Sequence, residues 1–205
     1  MKYYCVLSLF LLYILGSKAQ IGIQVFANQN TNDISNLINY TSNNLPDAFN
    51  LGIQLTALSK IKLSRQIKIS PELTVLKSIH TNSGEISNKK WTQSYIYNWI
   101  VVSSHLELLV IDGFYVLGGV NYNYLLSNRY KWEWSDQSAS LPLELDELNF
   151  NSRTNITSTL GIGYIIKKRI TLECRYENYV TSGELKSITF NINKFKIGAG
   201  IGILF

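Results

Sequence analysis

The chain is 205 residues long, which suits one domain, and its formal charge of +5 is too mild and too scattered to argue for nucleic acid. It is 46% hydrophobic and only 16% charged, with 13 Tyr, 8 Phe and 4 Trp, yet its mean hydropathy is just +0.03. A bundle of membrane helices would sit well above that value, whereas a transmembrane barrel need not, because only every second strand residue meets lipid.

The first residues read as a separate object. Lys2 gives a positive start, and the apolar run from Val6 to Gly16 is too short to cross a bilayer as a helix, which takes about 20 residues. Ser17 and Ala19 put small residues where a signal peptidase reads, so residues 1–19 are expected to be a signal peptide cut before Gln20. Cys5 precedes the apolar run and is no lipoprotein acceptor. Cleavage takes away Lys2 and Lys18, lowers the charge from +5 to +3, and leaves Cys174 without a disulfide partner. An exported domain without such staples needs another source of stability, and a closed, hydrogen-bonded barrel is one.

Beyond Gln20, apolar and polar residues alternate with period two in segment after segment. Ile21, Ile23, Val25 and Ala27 oppose Gly22, Gln24 and Phe26. Leu51, Ile53 and Leu55 oppose Gly52, Gln54 and Thr56. Ile67, Ile69, Leu73 and Val75 oppose Lys68, Ser70, Glu72 and Thr74, with Pro71 requiring a bulge or a gap in the ladder. Between about residues 93 and 108, Tyr95, Tyr97, Trp99 and Val101 share one face before Leu106 and Leu108 change parity, which predicts a bulge. Val116, Val120, Tyr122 and Tyr124 oppose Tyr115, Leu117, Asn121 and Asn123. Leu160, Ile162 and Tyr164 oppose Thr159, Gly161 and Gly163. Ile170, Leu172, Cys174 and Tyr176 oppose Thr171, Glu173, Arg175 and Glu177. In the last strand Phe195, Ile197, Ala199, Ile201, Ile203 and Phe205 oppose Lys194, Lys196 and three glycines.

That makes eight strands, an even number suited to an all-β, antiparallel, up-and-down transmembrane barrel over residues 20–205. The connections alternate long (29–47, 79–92, 127–153, 181–188) and short (59–65, 109–113, 166–168). Outer-membrane barrels keep short turns in the periplasm, so both termini are expected there, with aromatic girdles at the two rims: Phe49, Tyr97, Trp99, Tyr122, Tyr124 and Phe195 toward the outer one, Phe114, Tyr164 and Phe205 toward the inner.

Three stretches resemble the porin-T-like outer-membrane β-barrel domain of Bacteroidota. They are Gly52–Leu76 with its KLS turn and Ser70-Pro71-Glu72-Leu73, Leu160–Tyr179 with its glycine-rich strand and L-E-x-R-Y pattern, and the closing KIGAGIGILF. The strand around Tyr95–Leu108 departs most from that pattern. The resemblance implies insertion by the barrel-assembly machinery, with the aromatic Phe205 as its signal. It carries over no catalytic residues and no cofactor. Its members are functionally heterogeneous, and some serve secretion and gliding assemblies.

An eight-stranded barrel is only wide enough for side chains to fill. The inward set predicted from parity is Lys68, Glu72, Glu173, Arg175, Glu177, Lys194 and Lys196, whose charges nearly cancel and should pair as a structural plug. A narrow ion path or a small-ligand site are the alternatives. An enzyme would need His80, placed in an outer loop near Ser78 and Ser83, while His105 falls toward the periplasmic end. Asp136, Glu144, Asp146 and Glu147 read as a solvated acidic loop, with calcium as the alternative. In the same loop Tyr130, Trp132 and Trp134 form a possible binding surface, or else belong to two strands that continue past the membrane and pair. The expected role is non-enzymatic: an envelope component embedded in outer-membrane lipid, with possible protein partners at its outer loops. On the final strand, Ile201→Arg is expected to cost about 2–4 kcal/mol at mid-membrane depth, and Gly200→Ser on the opposite face to be milder.

Overall fold

The computed structural model describes residues 19–31, 48–86, 89–134, 143–145, 153–179 and 195–205. The strands are β1 (Gln20–Thr31), β2 (Ala48–Lys62), β3 (Ile67–Ile86), β4 (Lys89–Ile111), β5 (Phe114–Trp134), β6 (Leu143–Leu145), β7 (Thr154–Ile166), β8 (Ile170–Tyr179) and β9 (Phe195–Leu204). Every pairing is antiparallel. The ring runs β1-β2-β3-β4-β5-β7-β8-β9 and closes where β9 pairs β1, with Gly22 opposite Leu204 and Thr31 opposite Phe195. Eight strands thus form a closed barrel with no free edge along the ring. The three-residue β6 adds to the upper part of β5, with Tyr130 opposite Leu145.

The three short turns have identifiable causes. At residues 63–66 the Ser64 hydroxyl accepts the backbone N–H groups of Gln66 and Ile67 at 3.2 and 3.0 Å, which lets a serine substitute for backbone ladder bonds. At Asp112–Gly113 the glycine takes φ +79°. The third turn is different. Lys167 and Lys168 both hold positive φ, 49° and 61°, while the Arg169 N–H donates to the Ile166 carbonyl at 3.0 Å. Hairpin turns with two positive-φ residues strongly favour Asn-Gly, so two lysines there are locally unfavourable.

The expected parity holds around most of the ring, and it is inside-out relative to a water-soluble protein. Ile23, Leu55, Val75, Leu106, Val120, Leu160, Leu172 and Ile201 are exposed on the outer surface, while Gln24, Thr56, Glu72, Asn121, Thr159, Glu173 and Arg175 are buried within. The outward apolar belt spans about five alternating positions per strand. That matches the nine to eleven residues with which a tilted strand crosses a bilayer.

Three expectations change. The segment 79–92 is not a long loop: β3 and β4 stay paired from Ile67 opposite Leu108 to Ile86 opposite Lys89. The bulge lies elsewhere than expected. From Tyr95 to Glu107 the odd residues of β4 keep to the inner side, and the extra residues are Leu126 in β5 and Val110 in β4, where the register shifts. Tyr97 and Trp99 therefore do not belong to the outward girdle, which on this rim includes Tyr122 and Tyr124. Pro71 is accommodated by a gap. The β2–β3 ladder passes from Leu58 opposite Glu72 to Ile61 opposite Ile69, so the gap lies on the β2 side, while Pro71 stays opposite Ser104 of β4.

The glycine face of β9 is also less tolerant than expected. The Phe26 ring lies directly over Gly200, and the Arg175 guanidinium covers that ring 4.5 Å from its centroid. A Cβ at position 200 would press into the ring between fixed neighbours. Gly200→Ser is expected to cost about 1–3 kcal/mol, seen as a lower unfolding midpoint in denaturant. An unchanged midpoint would refute this packing.

Candidate functional site

The lumen is filled by polar and charged side chains arranged in tiers. Nearest the short turns, Lys60 at the end of β2 reaches Glu107 of β4 at 2.7 Å, the Tyr115 hydroxyl of β5 at 3.2 Å and Glu173 of β8 at 3.6 Å. The Tyr115 hydroxyl donates a short hydrogen bond to Glu173 Oε1. Its ring also lies against Gly163, where any Cβ would collide with it. The absent side chain on β7 is thus what makes room for the tyrosine.

Arg175 is the hub of the middle tier. Its Nη1 and Nη2 donate to the two carboxylate oxygens of Glu72 at 2.7 and 2.8 Å, the forked geometry a guanidinium offers a carboxylate. Nε donates to Glu173 Oε2 at 2.8 Å, and Nη2 to Gln24 Oε1 at 3.4 Å. Gln24 in turn donates to Thr171 and Glu173, both at 2.9 Å. Four strands of the ring, β1, β3, β8 and, through Phe26, the surface of β9, meet at this one side chain.

His105 links the middle tier to the next. Its Nδ1 lies 3.2 Å from Glu72 Oε1, and its Nε2 3.1 Å from Asn121 Oδ1. The Asn121 amide nitrogen donates to Thr159 (2.8 Å), Thr157 (2.9 Å) and Glu177 (3.1 Å), which orients the amide oxygen toward the histidine. Glu177 is paired in turn with Lys196 at 2.8 Å. Asn155 faces the lumen and accepts from Asn123 at 2.6 Å.

Parity reading thus placed Glu72, Glu173, Arg175, Glu177 and Lys196 in the lumen, and the structure brings all five into paired contact. Lys68 has the inward parity but sits half-buried at the short-turn mouth. Lys194 lies outside the described residues. Lys60, His105, Glu107 and Tyr115 were missed as members. His80 is not a solvated loop residue: it is buried in β3, its ring edge-on to Tyr97 at 5.4 Å. Tyr130, Trp132 and Trp134 lie on β5, with backbone partners Leu145 and Leu143 of β6 for the first two and Trp91 of β4 for the third. The side chains of these three and the acidic loop residues Asp136, Glu144, Asp146 and Glu147 are outside what the structure describes. Phe205 is exposed at the short-turn rim, its backbone N–H bonded to the Ile21 carbonyl at 2.7 Å.

Chemically, the charges pair off, three cations against four carboxylates. Among the described residues, buried Lys60, Arg175 and Lys196 face buried Glu72, Glu107, Glu173 and Glu177. Every one of these groups has an oppositely charged partner within 3.6 Å. Such a chain of pairs is a cross-brace between strands far apart in the ring.

No protein-family model and no curated protein matches the chain. Among solved structures it is similar to the attachment invasion locus protein Ail of Yersinia pestis, at 12% identity over 91% of this chain and 97% of that one, with a TM-score of 0.44. It is also similar to the outer membrane protein OprG of Pseudomonas aeruginosa, at 11% identity over 92% and 96% with a TM-score of 0.42. Neisserial surface protein A matches at 9% identity over 92% and 98%, with a TM-score of 0.40. Likeness at this level carries no functional argument, and the closed eight-stranded barrel rests on the strand pairing itself.

Proposed function

We propose that the chain is a non-enzymatic outer-membrane β-barrel: a membrane anchor with a solid interior, presenting a sheet beyond the membrane for contact with other envelope components. The observation that carries this reading is the length of three neighbouring strands. β3, β4 and β5 have 20, 23 and 21 residues, about twice the nine to eleven that a bilayer crossing takes. The three adjacent long strands continue roughly ten residues past the apolar belt, about 30 Å at strand rise, and β6 adds to their side. Paired charges block the lumen, so a conducting role finds no support. An exposed apolar belt of this extent would be an aggregation liability in water and is chemically at ease only in lipid.

In this reading the short turns and both barrel termini face the periplasm, residues 1–19 are a cleaved export signal, and Phe205 belongs to the strand recognised at insertion. The test is site-specific photo-crosslinking in intact cells. A probe at Glu133, on the projecting part of β5, is expected to yield discrete protein adducts, and a probe at Val120, in the belt, only lipid adducts. Absence of protein adducts from the projection would remove the interaction role. The purified barrel is also expected to be silent in planar bilayers, and steady single-channel conductance would overturn the solid interior.

A further inference from the structure

The short-turn rim carries an uneven charge pattern that the paired lumen does not explain. The turn between β2 and β3 presents exposed Lys62 and Arg65, and the turn between β7 and β8 presents exposed Lys167, Lys168 and Arg169. In the ring order these two turns lie on opposite sides of the barrel, four strands apart either way. The turn between them, from β4 to β5, carries Asp112 and Gly113 instead. None of the five basic side chains is paired with a carboxylate among the described residues.

Two further observations bear on the partner. First, the basic residues are flush with the apolar belt. Leu63, 57% exposed, sits between Lys62 and Arg65; Ile170 follows Arg169; and Ile111 and Phe205, 67% and 77% exposed, occupy the same rim. At this end the strands stop where the belt stops, so the charges cannot rise away from the membrane surface as the β3–β5 projection does at the other. Second, Lys167 and Lys168 occupy the two positive-φ positions of a turn in which Asn-Gly would be locally better. Two charged side chains thus stand where backbone preference alone would place Asn-Gly.

We propose that the two basic turns bind the phosphate groups of anionic phospholipids in the leaflet at the short-turn end, clamping the barrel at two opposite points to a fixed depth. The inference rests on the reading of the chain as a membrane barrel. Lysine and arginine ends held at headgroup level beside an apolar surface are the arrangement that attracts acidic lipid, with each cation near the surface worth about a fivefold preference.

The experiment uses the full mature barrel reconstituted in vesicles of equal phosphatidylethanolamine and phosphatidylglycerol, followed by native mass spectrometry of the lipids it retains. The wild type is expected to retain phosphatidylglycerol over phosphatidylethanolamine by roughly tenfold or more. Lys167→Asn with Lys168→Gly removes two charges and relaxes the turn, so it should fold at least as well by heat-modifiable gel migration while its lipid preference falls at least about fivefold. Lys62→Gln with Arg65→Gln should reduce the preference independently. Equal retention of the two lipids by the wild type, or a preference that both double variants leave intact, would overturn the proposal. The same result with the basic turns needed for a protein adduct in cells would assign them to a protein instead. A chain that fails to float with the vesicles would defeat the barrel reading itself, which separates the two failures.

Discussion

Arg175→Met is expected to lower the unfolding free energy of the reconstituted barrel by about 3–5 kcal/mol, the cost of breaking a buried ion pair by removing one partner. The arginine closes a fork on Glu72 and also bonds Glu173 and Gln24. When it goes, the two carboxylates fare differently. Glu173 keeps Lys60 at 3.6 Å, the Tyr115 hydroxyl and the Gln24 amide. Among the described residues, Glu72 keeps Ser70 at 3.5 Å and the Nδ1 side of His105 at 3.2 Å. Most of the loss should therefore come from Glu72, a charge left in a space too tight for bulk water.

That unevenness makes the prediction separable from a general packing defect. Adding Glu72→Gln to Arg175→Met removes the stranded charge and should recover a large part of the loss, whereas adding Glu173→Gln should recover less. Arg175→Lys keeps the charge but cannot fork, so its cost should be intermediate. Equilibrium unfolding in vesicles, followed by tryptophan fluorescence, reads all four variants. If Arg175→Met unfolds at the wild-type denaturant concentration, the pairing is not what braces the barrel. If Glu72→Gln brings no recovery, the loss belongs to the space left over Phe26 instead.

The barrel was legible because one face of most strands is apolar over several alternating positions: Ile21, Ile23 and Val25 in β1, or Leu106 and Leu108 in β4, allow only one orientation in lipid. Lumen residues on those strands followed by alternation. The misses have two physical causes. Lys60 lies on the same even parity as Gln54, Thr56 and Leu58, but the polar run after Ala57 reads as a turn, and only the ladder shows β2 continuing to Lys62. His105 and Glu107 were obscured by the aromatic residues above them. Tyr95, Tyr97 and Trp99 read as lipid-facing because they are large and apolar, yet they take the lumen parity where β4 rises toward and past the end of the belt. Aromatic side chains suit a wide barrel mouth as well as a lipid interface, so their type does not choose the face. Which charge meets which could not be read at all. Glu72 and Arg175 are 103 residues apart and face each other across the lumen. Their height match depends on the stagger of the whole ring, which local alternation does not encode.

Ile201→Arg tests the one assignment on which every other reading depends, namely which face of the barrel meets lipid. Ile201 is 56% exposed, opposite Val25 of β1 and Leu172 of β8, with Ile23, Ala199 and Ile203 on the same outer surface. Nothing within that patch can pair with a guanidinium. At mid-membrane depth the substitution is expected to cost about 2–4 kcal/mol, and Ile203→Arg, one step nearer the short-turn rim where an arginine can reach headgroups, clearly less. The gradient between the two positions matters more than either value. A water-soluble barrel would show no cost at either site, since an arginine on an exposed apolar surface in water improves solubility and disturbs no packing. Equal costs at both positions would instead mean that the side chains are buried against protein. Only a bilayer whose polarity changes over a few ångströms along β9 yields a large loss at Ile201 and a smaller one at Ile203, and refolding yields into vesicles at graded urea would show it directly.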